Sequence, residues 1–181
     1  MPASLTIGEF DPLTWINEYT TPAISITSET YEPIMQFSLM WGLFERNACM
    51  REATVATIEK SVDSAFAAGL LEAGNFQEHL EYFKNRATRN GNTIEAYFKA
   101  LVLTNDRAKR MVRGALDGTL KDANNVVLAL LLIAHRVRNN LFHGSKDVAV
   151  LHSQVELFKA VNSLLATYLS STKSLHIKSA G

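Results

Sequence analysis

The longest unbroken apolar run in the sequence is Val126-Val127-Leu128-Ala129-Leu130-Leu131-Leu132-Ile133-Ala134. It has about half of the roughly 20 residues that a helix needs to cross a bilayer, so it indicates a buried core helix. Asp122 precedes the run as a suitable N-cap, and the sequence turns polar from His135 to Asn140. We therefore expect a central helix whose far end carries polar side chains out of the core.

Other segments also predict helices, because their apolar residues recur at a spacing of three to four. These segments are about Pro33–Ala48, Ala53–Leu71, Phe76–Ala87, Thr93–Leu103, Asp106–Leu116 and Val148–Leu169, of which the fourth and fifth are short. The sequence has no long strand alternation and no internal repeat. The predicted fold class is all-α, a helical bundle of about five to six helices.

The two ends of the chain are expected to lie outside this bundle. Residues 1–30 contain Pro2, Pro12 and Pro22 and no sustained helical period, which predicts an extended N-terminal arm with a short strand at Ala23–Thr27. The bundle is then assigned to residues 31–170. Residues 171–181 are predicted to form a flexible C-terminal tail.

Composition indicates a globular protein with no overall attraction to polyanions. Lys plus Arg and Asp plus Glu both number 18, so any contact with RNA must be local. The single cysteine, Cys49, excludes an internal disulfide and a zinc site built from cysteines. With no signal peptide evident in Met1–Phe10 and no membrane span, a cytoplasmic location is expected.

The end of the central helix carries the segment Arg138-Asn139-Asn140-Leu141-Phe142-His143-Gly144. This segment resembles the Arg-x4-6-His signature of HEPN domains, and its Arg-Asn start and Leu-Phe-His-Gly finish resemble the subgroup described as ApeA-like. The resemblance extends over residues 31–170. It implies a four- or five-helix bundle that usually forms a homodimer through the motif face. Many HEPN domains are metal-independent endoribonucleases, whereas others only bind RNA, nucleotides or partner proteins.

The motif residues suit RNA cleavage without a cofactor or metal. Such cleavage needs a base for the 2′-hydroxyl proton, a cation for the charge that builds on the phosphate, and an acid for the leaving oxygen. His143 can act as base or acid, and Arg138 offers a charged fork of donors. A homodimer would supply the second His143. Asn139, the polar residue that follows the motif arginine in the resemblance, is the third predicted catalytic residue.

Helix geometry leaves a second arginine open as the phosphate-binding residue. Arg138 and His143 are separated by about 140° around an ideal helix, whereas Arg136 and His143 are nearly eclipsed. Arg136 forms one polar face with Asn139 and Asn140. Arg138 remains the first choice because Asn139 follows it directly, and Arg136 and Asn140 are supporting candidates.

Glu45 is the candidate acidic partner, because the first helix of HEPN domains often contributes a carboxylate near the motif. It would orient Arg138 or His143. The alternative is an exposed glutamate without a partner. His135, at the edge of the apolar run, is interpreted as a hydrogen-bonded core residue. The basic stretch Arg107–Arg113 is interpreted as a solvated helix face.

Three functions follow from these patterns. The first is a HEPN ribonuclease in a toxin–antitoxin or phage-defence setting, with RNA as substrate and a nucleotidyltransferase-type antitoxin as partner. The second is a non-catalytic HEPN module that binds RNA, a nucleotide or a protein. The third is a structural bundle in which Arg138 packs against a carboxylate and His143 caps a helix.

Overall fold

A computed structural model describes residues 10–19, 26–88, 94–101, 103–142 and 151–178. The all-α class is confirmed for these residues, which contain eight α-helices rather than the five to six predicted. The helices are Pro12–Tyr19 (α1), Ser28–Ala48 (α2), Val55–Ala67 (α3), Gln77–Thr88 (α4), Ile94–Leu101 (α5), Asp106–Asp117 (α6), Ala123–Phe142 (α7) and Val155–Lys178 (α8). Two 3-10 turns, Ala73–Phe76 and His152–Gln154, accompany them.

Helix α7 is the central element, as the apolar run predicts. Every residue from Val127 to Ala134 is buried, and α7 packs mainly against α6 and α3. Asp122 caps the helix, since its Oδ2 accepts the N–H of Asn125 at 3.3 Å. Neither α7 nor any other helix in the described ranges is both long and apolar enough to span a membrane.

The most extensive helix pair is α2 with α8. Aromatic side chains fill their interface: the Phe37 and Phe158 ring centroids are 5.6 Å apart, and those of Phe44 and Tyr168 are 5.8 Å apart. All four side chains are fully buried. These aromatic side chains therefore form part of the core.

The ends of α3 and α6 follow local signals. Thr54 forms a capping box with Thr57 at the start of α3, and Gly69 and Gly118 adopt positive φ angles of 68° and 79° after α3 and α6. The four-residue spacing of Ile58, Val62 and Phe66 predicts one buried face on α3, but Phe66 is 45% exposed. Residues four apart advance about 40° around a helix, so Phe66 lies beyond the face that Ile58 and Val62 bury.

The prediction of an extended N-terminal arm is wrong for residues 12–19, because these residues form α1. Pro12 lies in the first turn, where its missing N–H costs nothing, and Asp11 accepts the N–H groups of Leu13 and Thr14 at 3.3 and 3.1 Å. A proline read as a break is thus part of a helix start. Of the strand predicted at 23–27, residues 26 and 27 have no regular structure and 23–25 lie outside the described residues.

Helix α2 begins at Ser28, so that Pro33 lies inside it rather than in its first turn. The Pro33 carbonyl accepts a hydrogen bond from Asn162 Nδ2 of α8 at 3.0 Å. The side chain of Pro33 is buried. Packing against the rest of the bundle therefore holds a helical turn that the proline alone would disfavour.

The prediction of a flexible C-terminal tail is wrong for residues 171–178, because α8 continues to Lys178. Thr172 is buried, and its Oγ1 donates to the Tyr168 carbonyl at 2.9 Å. Ser171 Oγ donates to the Thr167 carbonyl at the same distance. The sequence has no Pro or Gly between Ser170 and Ala180 to end the helix, and residues 179–181 lie outside the described residues.

Candidate functional site

The packing of α2 beside α7 brings Glu45 next to Arg138. The distance from Arg138 Nη2 to Glu45 Oε1 is 4.0 Å, and the two side chains are 32% and 26% exposed. Glu45 is therefore neither isolated nor fully exposed. At this separation the carboxylate attracts the guanidinium but forms no close hydrogen bond with it.

Asn139 links Arg138 to His135 on the same helix. Its Oδ1 accepts from Arg138 Nη1 at 3.2 Å, and its Nδ2 lies 3.4 Å from His135 Nε2. An amide has one acceptor and one donor end, so this orientation needs His135 Nε2 to be unprotonated. If His135 were charged, Asn139 would have to turn its Oδ1 away from the arginine. The position of Arg138 is thus coupled to the protonation of His135.

The surroundings of His135 favour its neutral form, which this hydrogen-bond network requires. Its ring stacks on Trp41 of α2, with centroids 5.8 Å apart and planes 17° apart. Burial lowers the pKa of His135 below the ordinary 6.5, and the Arg138 cation adds to this effect. Glu45 opposes the shift, Arg136 adds a smaller lowering, and a backbone hydrogen bond at Ala53 opposes it as well. His135 is therefore neutral near pH 7.

Arg136 points to a different part of the bundle. Its Nε donates to the Leu101 carbonyl at the end of α5 over 2.6 Å, in a partly buried position. Residues two apart lie about 200° apart around a helix, so Arg136 and Arg138 occupy opposite sides of α7. The structure brings Arg138, Asn139 and Glu45 together and holds Arg136 at α5.

Arg138 keeps unused donor capacity. Its Nε is buried and has no acceptor among the described residues, and its Cζ lies 5.4 Å from the centroid of the Phe142 ring, a side chain that is 53% exposed. A guanidinium carries five N–H groups in a fixed fork. The buried Nε is not reachable from solvent, but each Nη group carries two N–H donors and contacts only one neighbour, Asn139 or Glu45. Because the side chain is 32% exposed, the remaining Nη donors can meet a further acceptor.

An open concavity of about 480 Å³ lies beside Glu45 and is lined by Gly42, Glu45, Arg46 and Arg51. Met50 and Arg51 follow α2 and have positive φ angles of 51° and 73°, a region that non-glycine residues seldom adopt. The N–H of Arg51 donates to the Glu45 carbonyl at 2.8 Å. This turn brings Arg51 back to the concavity, whose lining contains one glutamate and two arginines.

The remaining predicted residues include some outside the described part of the chain and some on exposed or half-buried helix surfaces. His143 and Gly144 lie outside the described residues. Asn140 lies half-buried on α7. In the basic stretch, Arg107 pairs with Glu59, and Arg113 Nη1 lies 2.6 Å from Glu95 Oε2 and its Cζ 4.5 Å from the Phe98 ring centroid. These exposed pairs fit the interpretation of Arg107–Arg113 as a solvated face.

Sequence reasoning assigned His135 to the core and did not connect it with the motif. The signal that connects them is the four-residue spacing of His135 and Asn139, which places both side chains on one side of a helix. The part of the chain that the structure describes contains no group of three or more His, Cys, Asp or Glu side chains arranged to hold a metal ion.

Comparisons with protein-family models, with curated proteins and with solved structures gave no match for this chain. Its class is therefore defined here by fold and site: an all-α bundle with an arginine, an asparagine, a glutamate and a neutral histidine joined at the α2–α7 contact. Chemically, this arrangement offers guanidinium donors to an anion beside an open concavity.

Proposed function

We propose that this protein is a metal-independent endoribonuclease of the HEPN type that acts as a homodimer. The observation that carries the proposal is Arg138, placed between Asn139 and Glu45 with donor groups to spare. A preorganised guanidinium is the group that a phosphate acquiring charge requires. The basic lining of the adjacent concavity, Arg46 and Arg51, supplies further attraction for an RNA backbone.

In the proposed reaction, the 2′-oxygen of a ribose attacks the adjacent phosphorus while the P–O5′ bond breaks. One His143 imidazole takes the 2′-hydroxyl proton, and the protonated His143 of the partner subunit gives a proton to the leaving 5′-oxygen. The products are a 2′,3′-cyclic phosphate and a 5′-hydroxyl. Arg138 stabilises the charge on the phosphate oxygens, and Asn139 fixes the orientation of Arg138.

The network at α2 and α7 supports the positioning role proposed for Asn139. With His135 neutral, Asn139 donates to His135 and accepts from Arg138, so the guanidinium is oriented before substrate arrives. Orientation in advance is a large part of what positioning groups contribute to catalysis. The HEPN resemblance further suggests a toxin–antitoxin or phage-defence setting, with a nucleotidyltransferase-type antitoxin as the restraining partner.

The second candidate function is a non-catalytic module that binds RNA or a nucleotide. It is favoured by the arginines around the concavity, which would attract a phosphate whether or not His143 reacts. In that case Arg138 and Arg51 would determine affinity. No turnover would follow.

The deciding experiment incubates the purified protein with total RNA in EDTA. His143→Ala and Arg138→Ala are compared with Lys159→Ala, a control at an exposed lysine that pairs only locally with Glu156. We expect cleavage by the wild type and by the control, loss in the two motif variants, and cyclic phosphate at the new 3′ ends. RNA binding that needs Arg138, without cleavage by any variant, would support the binding module instead.

A further inference from the structure

A partly enclosed cavity of about 240 Å³ lies where α4, the start of α7 and the loop between α6 and α7 meet. Its floor is apolar, because Phe76, Leu80 and Val127 line it and are all buried. Leu120 and Val126, which are half-buried, extend the apolar lining toward the opening. Binding sites for small molecules are usually concave and mostly apolar, with a few polar groups that fix the ligand. The cavity therefore has the form of such a site.

The loop wall of the cavity is fixed by the fold itself. The N–H of Leu120 donates to the Gly114 carbonyl at 2.9 Å, and the N–H of Thr119 donates to Asp117 Oδ1 at 2.9 Å. The Leu120 side chain also lies against Gly114, where an added Cβ atom would be 2.7 Å from Leu120 Cγ. Because hydrogen bonds and packing both hold Leu120, the chain forms this cavity without help from a ligand.

Two lysines supply the charge at the opening. Lys121 of the loop is exposed, and Lys84 of α4 is half-buried. Lys84 Nζ lies 3.9 Å from Glu81 Oε1, which is a loose ion pair, and Lys121 has no ion pair with another described side chain. Glu81 and Asp122 are neighbours in the sequence, but neither belongs to the lining, which contains no carboxylate. An anion that enters the cavity therefore meets two cations along its walls.

The volume of the cavity limits the size of its ligand. An apolar cavity of about 150 Å³ accommodates a benzene molecule. By proportion, about 240 Å³ suits a molecule of roughly ten non-hydrogen atoms. A straight-chain carboxylate of about eight carbons has this size and combines an apolar chain with a negative charge.

We propose that this cavity binds a small monocarboxylate with an apolar chain, of the size of a medium-chain fatty acid. The chain lies against Phe76, Leu80 and Val127, and the carboxylate lies at the opening with Lys84 and Lys121. The lysines select the charge of the ligand: they would repel a cation and would gain nothing from a neutral chain. An apolar floor with a basic opening is thus complementary to both halves of this ligand.

The inference does not depend on the proposed ribonuclease function. Ala123, Val126 and Val127 line the cavity from the first turns of α7, whereas Arg138 lies near the other end of the same helix. At a rise of about 1.5 Å per residue, Ala123 and Arg138 are roughly 22 Å apart along the helix. The two sites can therefore be tested separately.

The test titrates the full chain with sodium octanoate by isothermal titration calorimetry at low ionic strength. We expect saturable binding of one octanoate per chain, with a dissociation constant below about 1 mM. Octan-1-ol has the same chain without the charge, and octylamine has the opposite charge. Each should bind at least about tenfold more weakly than octanoate. Acetate has the charge without the chain and should show no measurable binding.

Filling the cavity should abolish binding. Ala123→Phe places a ring in the lining from α7, and Ala73→Trp does so from the 3-10 turn before α4, at an exposed position that tolerates a large side chain. Ala166→Phe is the matched control, because Ala166 is exposed on α8 outside the cavity. Circular dichroism of each variant separates lost binding from lost folding.

Removing the charges should weaken octanoate binding selectively. Lys84→Gln and Lys121→Gln should each raise the dissociation constant for octanoate about three- to tenfold and leave that for octan-1-ol unchanged. Lys60→Gln, at an exposed lysine of α3, is the charge control and should have no effect.

A folded wild type that does not bind octanoate, or binding that both filled variants retain, would overturn the proposed site. Equal affinity for octanoate and octan-1-ol, or lysine variants without effect, would overturn the proposed ligand class. Arg138→Ala should bind octanoate as the wild type does. Octanoate binding by a protein that cleaves no RNA would sink the proposed function and leave this inference standing.

Discussion

Arg138 Nη2 and Glu45 Oε1 lie 4.0 Å apart, across the contact between α7 and α2. Charge-assisted hydrogen bonds are usually 2.7 to 2.9 Å long, so this pair is held loosely. Under the proposed function, a phosphate oxygen would replace the carboxylate as the partner of the guanidinium with little loss. Glu45 would then attract Arg138 without competing strongly with an incoming anion.

Substitutions of the two arginines of α7 are expected to have different effects: the change at Arg136 should lower stability, and the change at Arg138 should lower activity. Arg136→Ala removes the hydrogen bond to the Leu101 carbonyl and should lower the free energy of unfolding by about 1 to 3 kcal/mol. Arg138→Ala should change stability by less than about 1 kcal/mol, because its ion pair is loose and part-exposed. It should reduce RNA cleavage by at least about a hundredfold.

Urea denaturation and initial cleavage rates, measured at a temperature where both variants are folded, check this prediction. Arg138→Lys is the conservative companion and should retain binding better than cleavage, since lysine lacks the planar fork. Full activity in Arg138→Ala together with inactivity in a folded Arg136→Ala would make Arg136 the phosphate-binding residue.

Stability is expected to fall as the pH falls below 6.5. Burial lowers the pKa of both His135 and His79 in the folded chain, so the unfolded chain binds more protons in the range from 6.5 down to their folded values. The free energy of unfolding therefore rises with pH across that range. His135→Gln and His79→Gln should each make this dependence shallower, as measured by urea denaturation between about pH 7.5 and about pH 5.5.

The carboxylates with a lowered pKa change the free energy of unfolding only at more acidic pH. They therefore do not contribute to the slope measured for the histidines. Asp11, Glu95, Asp106 and Asp117 have a lowered pKa, each chiefly because of a side-chain hydrogen bond, so their contribution is lost only as the pH falls below their ordinary values of 3.8 to 4.5. A slope that remains unchanged in the double variant His79→Gln/His135→Gln would contradict the assignment to these histidines.

The hydrogen bond between Tyr168 and Ser61 is expected to stabilise the α3–α8 contact. Their oxygens are 2.7 Å apart, and burial raises the pKa of Tyr168 to about 12. Tyr168→Phe and Ser61→Ala should each cost about 1 kcal/mol in unfolding free energy. In a double-mutant cycle the combined variant should cost less than the sum, and strict additivity would argue against the bond.

Much of the fold could be predicted because its signals are local. The run Val126–Ala134 is apolar on all sides, and a helix of that kind can only be buried. The ends of α3 and α6 carry their own capping and glycine signals. The start of α1 was missed because Pro12 was interpreted as part of an extended arm, and the start of α2 was placed too late because Pro33 was assigned to the first turn. The extent of α8 was missed because Thr172, which is buried beyond the predicted end of the helix, is polar.

For the candidate site, too, some relationships follow from the sequence and others from the tertiary structure alone. The sequence by itself determined that Arg138, Asn139 and His135 lie at the polar end of a buried helix, because spacing along one helix fixes which side chains are neighbours. Only the tertiary structure decided that Arg138 faces Glu45, that His135 stacks on Trp41 and that Arg136 is held by Leu101. Those relationships depend on how α2 and α5 pack around α7, and residues distant in the chain determine that packing.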